Sequence, residues 1–153
     1  MASAVGWANL YGSCAWSLTS LFALRVLGQS VQRWMPQSFL PPFEAFQGSN
    51  LPYWPLLSFQ LLILAVMMRV AWRLQTDRLV PRRPVGRWLA WAGVVYMAAA
   101  LARIAAGLAV PDAHAWFKAW IPAFFHVVLA AFVLIVSLYH LSGPVPTADE
   151  EES

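Results

Sequence analysis

Four stretches of the chain are apolar over the length that a helix needs to cross a bilayer. A hydrocarbon core about 30 Å thick requires about 20 helical residues. The stretches lie at residues 7–28, 53–72, 88–110 and 119–140. The second is the clearest, because LLSFQLLILAVMM is almost unbroken, whereas hydroxyl side chains and Arg25 dilute the first. The pattern predicts an all-α protein, an integral membrane four-helix transmembrane bundle.

Aromatic residues and prolines support these limits independently of hydropathy. Trp54 and Trp72 flank the second span, and Trp120 begins the fourth. Tryptophan concentrates at membrane–water boundaries, since its ring is apolar and its N–H needs a hydrogen-bond partner. Pro55 and Pro122 fall in first turns, where a missing N–H costs nothing. Strands of a membrane barrel would be about 10 residues long and alternate in polarity, so these spans are predicted to be helices.

Composition agrees with a membrane protein and argues against nucleic-acid binding. The chain is 60% apolar and 11% charged, against about 25% charged in soluble domains. The net charge of +3 does not form a basic surface, because six arginines crowd residues 69–87 and four acids crowd residues 149–152. This segregation is typical of membrane topology with a solvated tail. Residues 143–153 are predicted to be a disordered acidic tail.

The arginine-rich connection between the second and third spans predicts the orientation. Short loops rich in arginine remain cytoplasmic, which places both termini in the cytoplasm. Arg25 and Arg33 argue the other way but are outnumbered. Nine arginines against one lysine suggest a bacterial source, and therefore the bacterial inner membrane as the plasma membrane concerned.

Each span carries a polar side chain at a similar depth in the membrane. At about 1.5 Å per residue, Gln60, Arg103 and His126 lie about 10 Å below the outer boundary, and Arg25 lies at a similar or shallower level. An intramembrane charge costs at least about 2.5–3.5 kcal/mol on insertion scales and usually faces the bundle. These four residues are therefore the candidate ligand-binding site.

Three interpretations of this polar layer remain open. The groups can hydrogen-bond to one another and only fix the packing. They can instead line an outward-facing pocket for an anion or a quinone-like carbonyl, which would supply the missing acceptor. Arg25 can also snorkel to the boundary. A further possibility is that Glu44, Asp112 and His114 of the outer connections fold down onto the arginines.

The third span has an alanine face that suits close helix packing. Small residues recur there every four positions, at Ala98, Ala102 and Ala106 in one row and at Ala105 and Ala109 in a second row. The expected use is packing within the chain or between copies, as in a homo-oligomer. A larger membrane complex is the other expected partner besides the lipid bilayer.

The fourth span places His126 and His140 on one stripe, fourteen residues apart, or about 21 Å. Two stacked membrane haems need ligands at about that spacing. The sequence has no second helix with matching histidines. No cofactor is therefore predicted, and His126 and His140 are haem ligands only in the alternative interpretation. Haem b or quinone remains the alternative.

The sequence contains no motif for catalysis, metal binding or nucleotide binding. All seven acids lie outside the spans, which argues against a proton-relay pump or cation channel. The segment LRVLGQ at residues 24–29 resembles small DoxX-like membrane proteins, and no function is transferred from so few residues. We therefore expect a non-enzymatic accessory subunit or a binder of a lipophilic or anionic ligand, with a membrane redox protein as the alternative.

Overall fold

A computed structural model describes residues 2–47, 51–110, 117 and 119–142. Its helices, numbered here α1 to α5, are Ala2–Trp34, Phe43–Phe46, Tyr53–Gln75, Arg83–Ala109 and Trp120–Ser142. α2 is a single turn, and each of the other four is long and apolar enough to span a membrane. The prediction of an all-α, multi-pass bundle of four transmembrane helices is therefore confirmed.

The long helices extend beyond the limits that the hydrophobic pattern predicted, and α1 and α4 differ from it most. α1 continues to Trp34 rather than ending at residue 28, because the next residue that cannot continue a helix is Pro36. α4 begins at Arg83 rather than at residue 88, with Pro84 in its first turn. Proline is favoured at that position, so the helix start extends into the arginine-rich segment.

The long helices pack in the order α3–α1–α5–α4. α4 lies along α5, and α1 contacts both α3 and α5, whereas α3 and α4 share no extended interface in the described part of the chain. α3 ends in a Schellman motif: the Arg78 N–H donates to the Arg73 carbonyl, the Asp77 N–H donates to the Leu74 carbonyl, and Asp77 has φ 53°. This motif allows the short connection at residues 76–82.

The start of α1, the end of α5 and the 76–82 connection lie on the same side of the bundle, which we call the terminal end. The opposite side carries α2, and we call it the α2 end. Glycines bring the helices close at and near the terminal end. A Cβ at Gly12 would lie 2.9 Å from the Gln75 Cα, and one at Gly86 would lie 2.9 Å from the Leu141 Cγ. A Cβ at Gly93 would likewise lie 2.7 Å from Leu134. No side chain larger than hydrogen fits at these positions without movement.

The alanine face of the third predicted span does not pack within the chain. The buried stripe of α4 consists of Gly86, Gly93, Ala100 and Arg103. Most of the predicted alanine positions point outward instead, with Ala98, Ala102, Ala105 and Ala109 exposed and Ala106 half-buried. The intrachain use of this face is therefore wrong, because the glycines allow a closer approach. Its use between copies stays a prediction.

Buried polar groups at the terminal end are paired. The Ser137 hydroxyl donates to the Gly86 carbonyl at 2.9 Å, and the Tyr139 hydroxyl donates to the Leu79 carbonyl at 2.6 Å. The Arg82 backbone N–H donates to the Nδ1 atom of His140 at 3.1 Å. These bonds tie α5 to α4 and to the 76–82 connection.

Candidate functional site

A cavity of about 260 Å³ lies in the half of the bundle nearest α2. Its lining includes Arg25 from α1, Gln60 from α3, Arg103 from α4 and His126 from α5. The four polar residues singled out by depth thus meet around one space, with one residue from each long helix. That this space binds a ligand stays a prediction.

Arg25 is buried, with 9% of its surface exposed. One terminal nitrogen donates to the Phe46 carbonyl of α2 at 3.2 Å, and the guanidinium carbon lies 5.4 Å from the centre of the Phe125 ring. The Nε–H has no hydrogen-bond partner among the described residues, and no carboxylate of that part of the chain forms an ion pair with Arg25. A carbonyl and an aromatic face stabilise the cation only partly, so burial leaves this group short of an acceptor.

A pair of glutamines lies beside Arg25. Gln60 Nε2 donates to Gln29 Oε1 at 3.0 Å, and the side chains are 5% and 1% exposed, respectively. Two facing amides can exchange two hydrogen bonds, yet only one forms, and Gln29 Nε2 and Gln60 Oε1 have no partner among the described residues. A buried polar atom left without a partner costs about 1–3 kcal/mol.

Gln29 was missed because the first span was predicted to end at residue 28. The signal was present in the sequence, since Arg25 and Gln29 are four residues apart and share a helix face.

His126 is held by a residue that the sequence analysis did not single out. The Tyr96 hydroxyl lies 2.6 Å from His126 Nδ1, and the two rings meet edge to face at 5.8 Å. The Tyr–His bond occupies Nδ1 and leaves Nε2 as the remaining polar atom of the imidazole. This contact ties α4 to α5, and whether the polar layer only fixes the packing or binds a ligand stays a prediction.

The described residues of the cavity wall include two arginines, Arg25 and Arg103. Arg103 is 6% exposed and is the lining residue from α4. None of the described lining side chains is acidic. Glu44, expected as one acid that folds onto these arginines, lines a different cavity together with Arg33. Asp112 and His114 lie outside the described residues.

His140 is remote from the cavity. It lies at the terminal end, where a Cβ at Gly86 would touch the His140 Cβ at 3.0 Å, and its Nδ1 accepts the Arg82 N–H. His140 is therefore part of the close contact between α4 and α5, and its use as a haem ligand stays a prediction. The described residues also include no group of three histidine, cysteine or acidic side chains arranged to hold a metal ion.

The comparisons with known proteins add no family to this geometry. No protein-family model matches the chain, and neither a curated protein nor a solved structure matches it. The short likeness of LRVLGQ to DoxX-like proteins therefore has no further support, and the cavity is the feature from which a function can be inferred.

Proposed function

We propose that this chain is a non-enzymatic membrane protein that binds an anionic ligand in the cavity lined by Arg25, Gln60, Arg103 and His126. The observation that carries the proposal is Arg25, a buried guanidinium on the cavity wall with an unpartnered Nε–H and no ion pair to the described residues. The cavity favours a ligand binder over a purely structural accessory subunit, since a packing role alone would not need to leave this space.

The energetics of the membrane interior support an anion. A guanidinium in the hydrocarbon region costs at least about 2.5–3.5 kcal/mol, and charge-assisted hydrogen bonds are about twice as strong as neutral ones. An anion at Arg25 would offset the charge and supply an acceptor for the free Nε–H. Arg103 lines the same cavity.

The topology proposed for the protein puts this site in the outer half of the membrane. Arg78, Arg82, Arg83 and Arg87 lie in or next to the 76–82 connection at the terminal end, which by the positive-inside rule is cytoplasmic. Both termini would then be cytoplasmic. We place the protein in a bacterial inner membrane on the arginine-to-lysine ratio alone.

A thermal-shift titration tests the proposal. The full chain in dodecyl maltoside, a neutral detergent, is titrated with laurate, and dodecanol is the uncharged control. We expect laurate alone to stabilise the protein, with Arg25→Gln weakening its binding about 10- to 100-fold, because a hydrogen bond to a charged group contributes about 1.5–3 kcal/mol.

Arg33→Gln is the matched control variant. Arg33 lies on the same helix, outside the cavity, among the rings of Trp34, Phe43 and Tyr53. It should keep the affinity for laurate. Equal losses in both variants, or none in Arg25→Gln, would contradict the proposal.

The Tyr96–His126 contact favours a second candidate, a redox protein that binds a quinone. A quinone carbonyl would accept a hydrogen bond from His126 or Arg103. In the same titration, a short-chain benzoquinone would then bind with a dependence on His126 rather than on Arg25. A haem-binding form would show a Soret band that disappears in His126→Ala.

A further inference from the structure

The cavity is not closed on all sides by packed helices. Phe59 and Ile63 of α3 both line it, yet 60% and 36% of their surfaces are exposed. The side formed by α1 and α5 is closed, since Arg25 lies over Phe125, and Phe22 contacts the same ring at 6.5 Å. The exposed lining residues therefore mark the side of the cavity that faces away from the packed helices.

The open side coincides with the missing helix contact. α3 and α4 are adjacent in sequence but share no extended interface in the described residues, although both contribute to the cavity wall. A gap between two membrane-spanning helices opens sideways, toward lipid, rather than toward water. We call this gap between α3 and α4 the lateral opening.

The size of the cavity limits what it can enclose. Pockets for drug-sized ligands measure about 300–1,000 Å³, whereas this cavity has about 260 Å³. Only a small head group and a few carbon atoms fit inside. The remainder of a larger ligand must lie outside, against the exposed apolar side of α3.

That side of α3 continues away from the cavity along the helix. Phe59, Ile63 and Val66 follow one another at four- and three-residue spacing on one face, and Val66 is also exposed. The stripe runs from the level of the cavity toward the middle of the helix, and therefore toward the middle of the bilayer. An acyl chain in the same leaflet runs in that direction.

From these features we infer that the ligand is a single-chain amphiphile with a carboxylate head, which reaches Arg25 from the bilayer through the lateral opening. This inference rests on the proposed function and adds the ligand class and the route. A carboxylate is small, accepts charge-assisted hydrogen bonds from guanidinium groups, and carries no second polar group into the membrane. A two-chain phospholipid would have to bring its glycerol and head group about 10 Å below the boundary.

The experiment uses the full chain in phosphatidylcholine vesicles. The probe is cis-parinaric acid, a fluorescent single-chain carboxylate that accepts energy from the nine tryptophans. We expect saturable energy transfer that palmitate displaces. Hexadecanol, butyrate and dioleoyl phosphatidic acid should each displace the probe at least tenfold less well, since they lack the charge, the chain or the single-chain form.

Two tryptophan variants test the route. Ile63→Trp should obstruct the lateral opening and weaken probe binding at least tenfold. Leu61→Trp adds the same fluorophore at an exposed position that does not line the cavity and lies on a different face of α3, and it should bind like the wild type. Unfolding in SDS reports whether each variant is folded, and Ile63→Ala, which widens the opening, should bind at least as well as the wild type.

The outcomes separate this inference from the proposed function. Equal affinity in Ile63→Trp and Leu61→Trp would overturn the lateral route while leaving anion binding intact. Displacement by butyrate or by dioleoyl phosphatidic acid as effective as that by palmitate would overturn the single-chain ligand. A folded Ile63→Trp that fails together with Ile63→Ala would also overturn the route. Absence of saturable binding to the wild type would remove both proposals.

Discussion

At the terminal end of the bundle the buried side chains of Ser137, Tyr139 and His140 each have a hydrogen-bond partner, whereas near the α2 end three buried polar atoms have none. These three atoms are Arg25 Nε, Gln29 Nε2 and Gln60 Oε1, and they are the buried side-chain atoms without a partner in the described residues. The two halves also differ in packing, since glycine contacts tighten one and a cavity of about 260 Å³ interrupts the other.

The two ends of the bundle differ in what their polar groups do: those of the terminal end stabilise the packing, whereas those of the α2 end lie at the candidate site. In a membrane, helix association depends on close packing and interhelical hydrogen bonds, because lipid is as apolar as the helices. The terminal end uses both. Three polar atoms near the α2 end have no partner among the described residues, which is unfavourable, and a ligand that supplied partners would offset this cost.

The largest expected effect on stability comes from adding a methyl group at the tight end. Gly86→Ala should lower the free energy of unfolding by about 1–3 kcal/mol, the usual cost of overpacking, because its Cβ would meet Leu141 at 2.9 Å and His140 at 3.0 Å. SDS-induced unfolding in mixed micelles measures the change.

Gly28→Ala is the matched control at the α2 end. Its Cβ would meet only Phe46, at 3.7 Å, an ordinary contact distance. Alanine also favours helix over glycine by about 0.5–1 kcal/mol, so this variant should be as stable as the wild type or more so. Similar losses at both glycines would mean that the two halves are equally tight.

An intermediate effect is expected at Tyr139. Tyr139→Phe removes the donor to the Leu79 carbonyl, a bond of 2.6 Å, and should destabilise the bundle by about 1 kcal/mol, within the range for interhelical hydrogen bonds in membranes. In Tyr11→Phe, the hydroxyl that is lost makes only an exposed contact of 3.4 Å to Ser142, so little change is expected. A Tyr139→Phe variant as stable as Tyr11→Phe would show that the terminal end does not depend on this bond.

The smallest change in stability is expected for the glutamine pair near the α2 end, and its direction is informative. The double variant Gln29→Leu with Gln60→Leu removes one hydrogen bond together with two unpartnered atoms. Replacing both partners by apolar groups is nearly neutral or stabilising, so the unfolding free energy should stay within about 1 kcal/mol of the wild type or rise.

Ser137→Ala provides the contrast from the paired end. It breaks a satisfied bond to the Gly86 carbonyl and should lower stability by about 0.5–1.5 kcal/mol. If the glutamine double variant loses more than Ser137→Ala, the glutamine pair is structural and the α2 end is not a region of unused polar groups.

The convergence of the four polar residues followed from the sequence, whereas their use as a binding site stays a prediction. Arg25, Gln60, Arg103 and His126 were singled out from their depths alone, and all four line one cavity. This is possible because a membrane helix rises a constant 1.5 Å per residue between fixed boundaries, so position along the chain converts directly into depth.

The partners within the site did not follow from the sequence. Tyr96 was not recognised as the contact of His126, and Gln29 was assigned to a connection rather than to α1. The alanine face of the third span was expected to pack within the chain or between copies, and most of it faces outward from this chain. In each case the missing information is the rotation of a helix about its axis and the identity of its neighbour.

The sequence was therefore enough to predict four transmembrane helices and the depths of their polar groups. Both follow from length and hydropathy, which match the thickness of the bilayer. The tertiary structure was needed to show that glycines form the α4–α5 contact, that Arg25 Nε has no partner among the described residues, and that α3 and α4 share no extended interface there. In lipid both the outer and the inner face of a helix are apolar, so hydropathy cannot distinguish them. Which face of a helix is turned inward depends on how the side chains of neighbouring helices fit together.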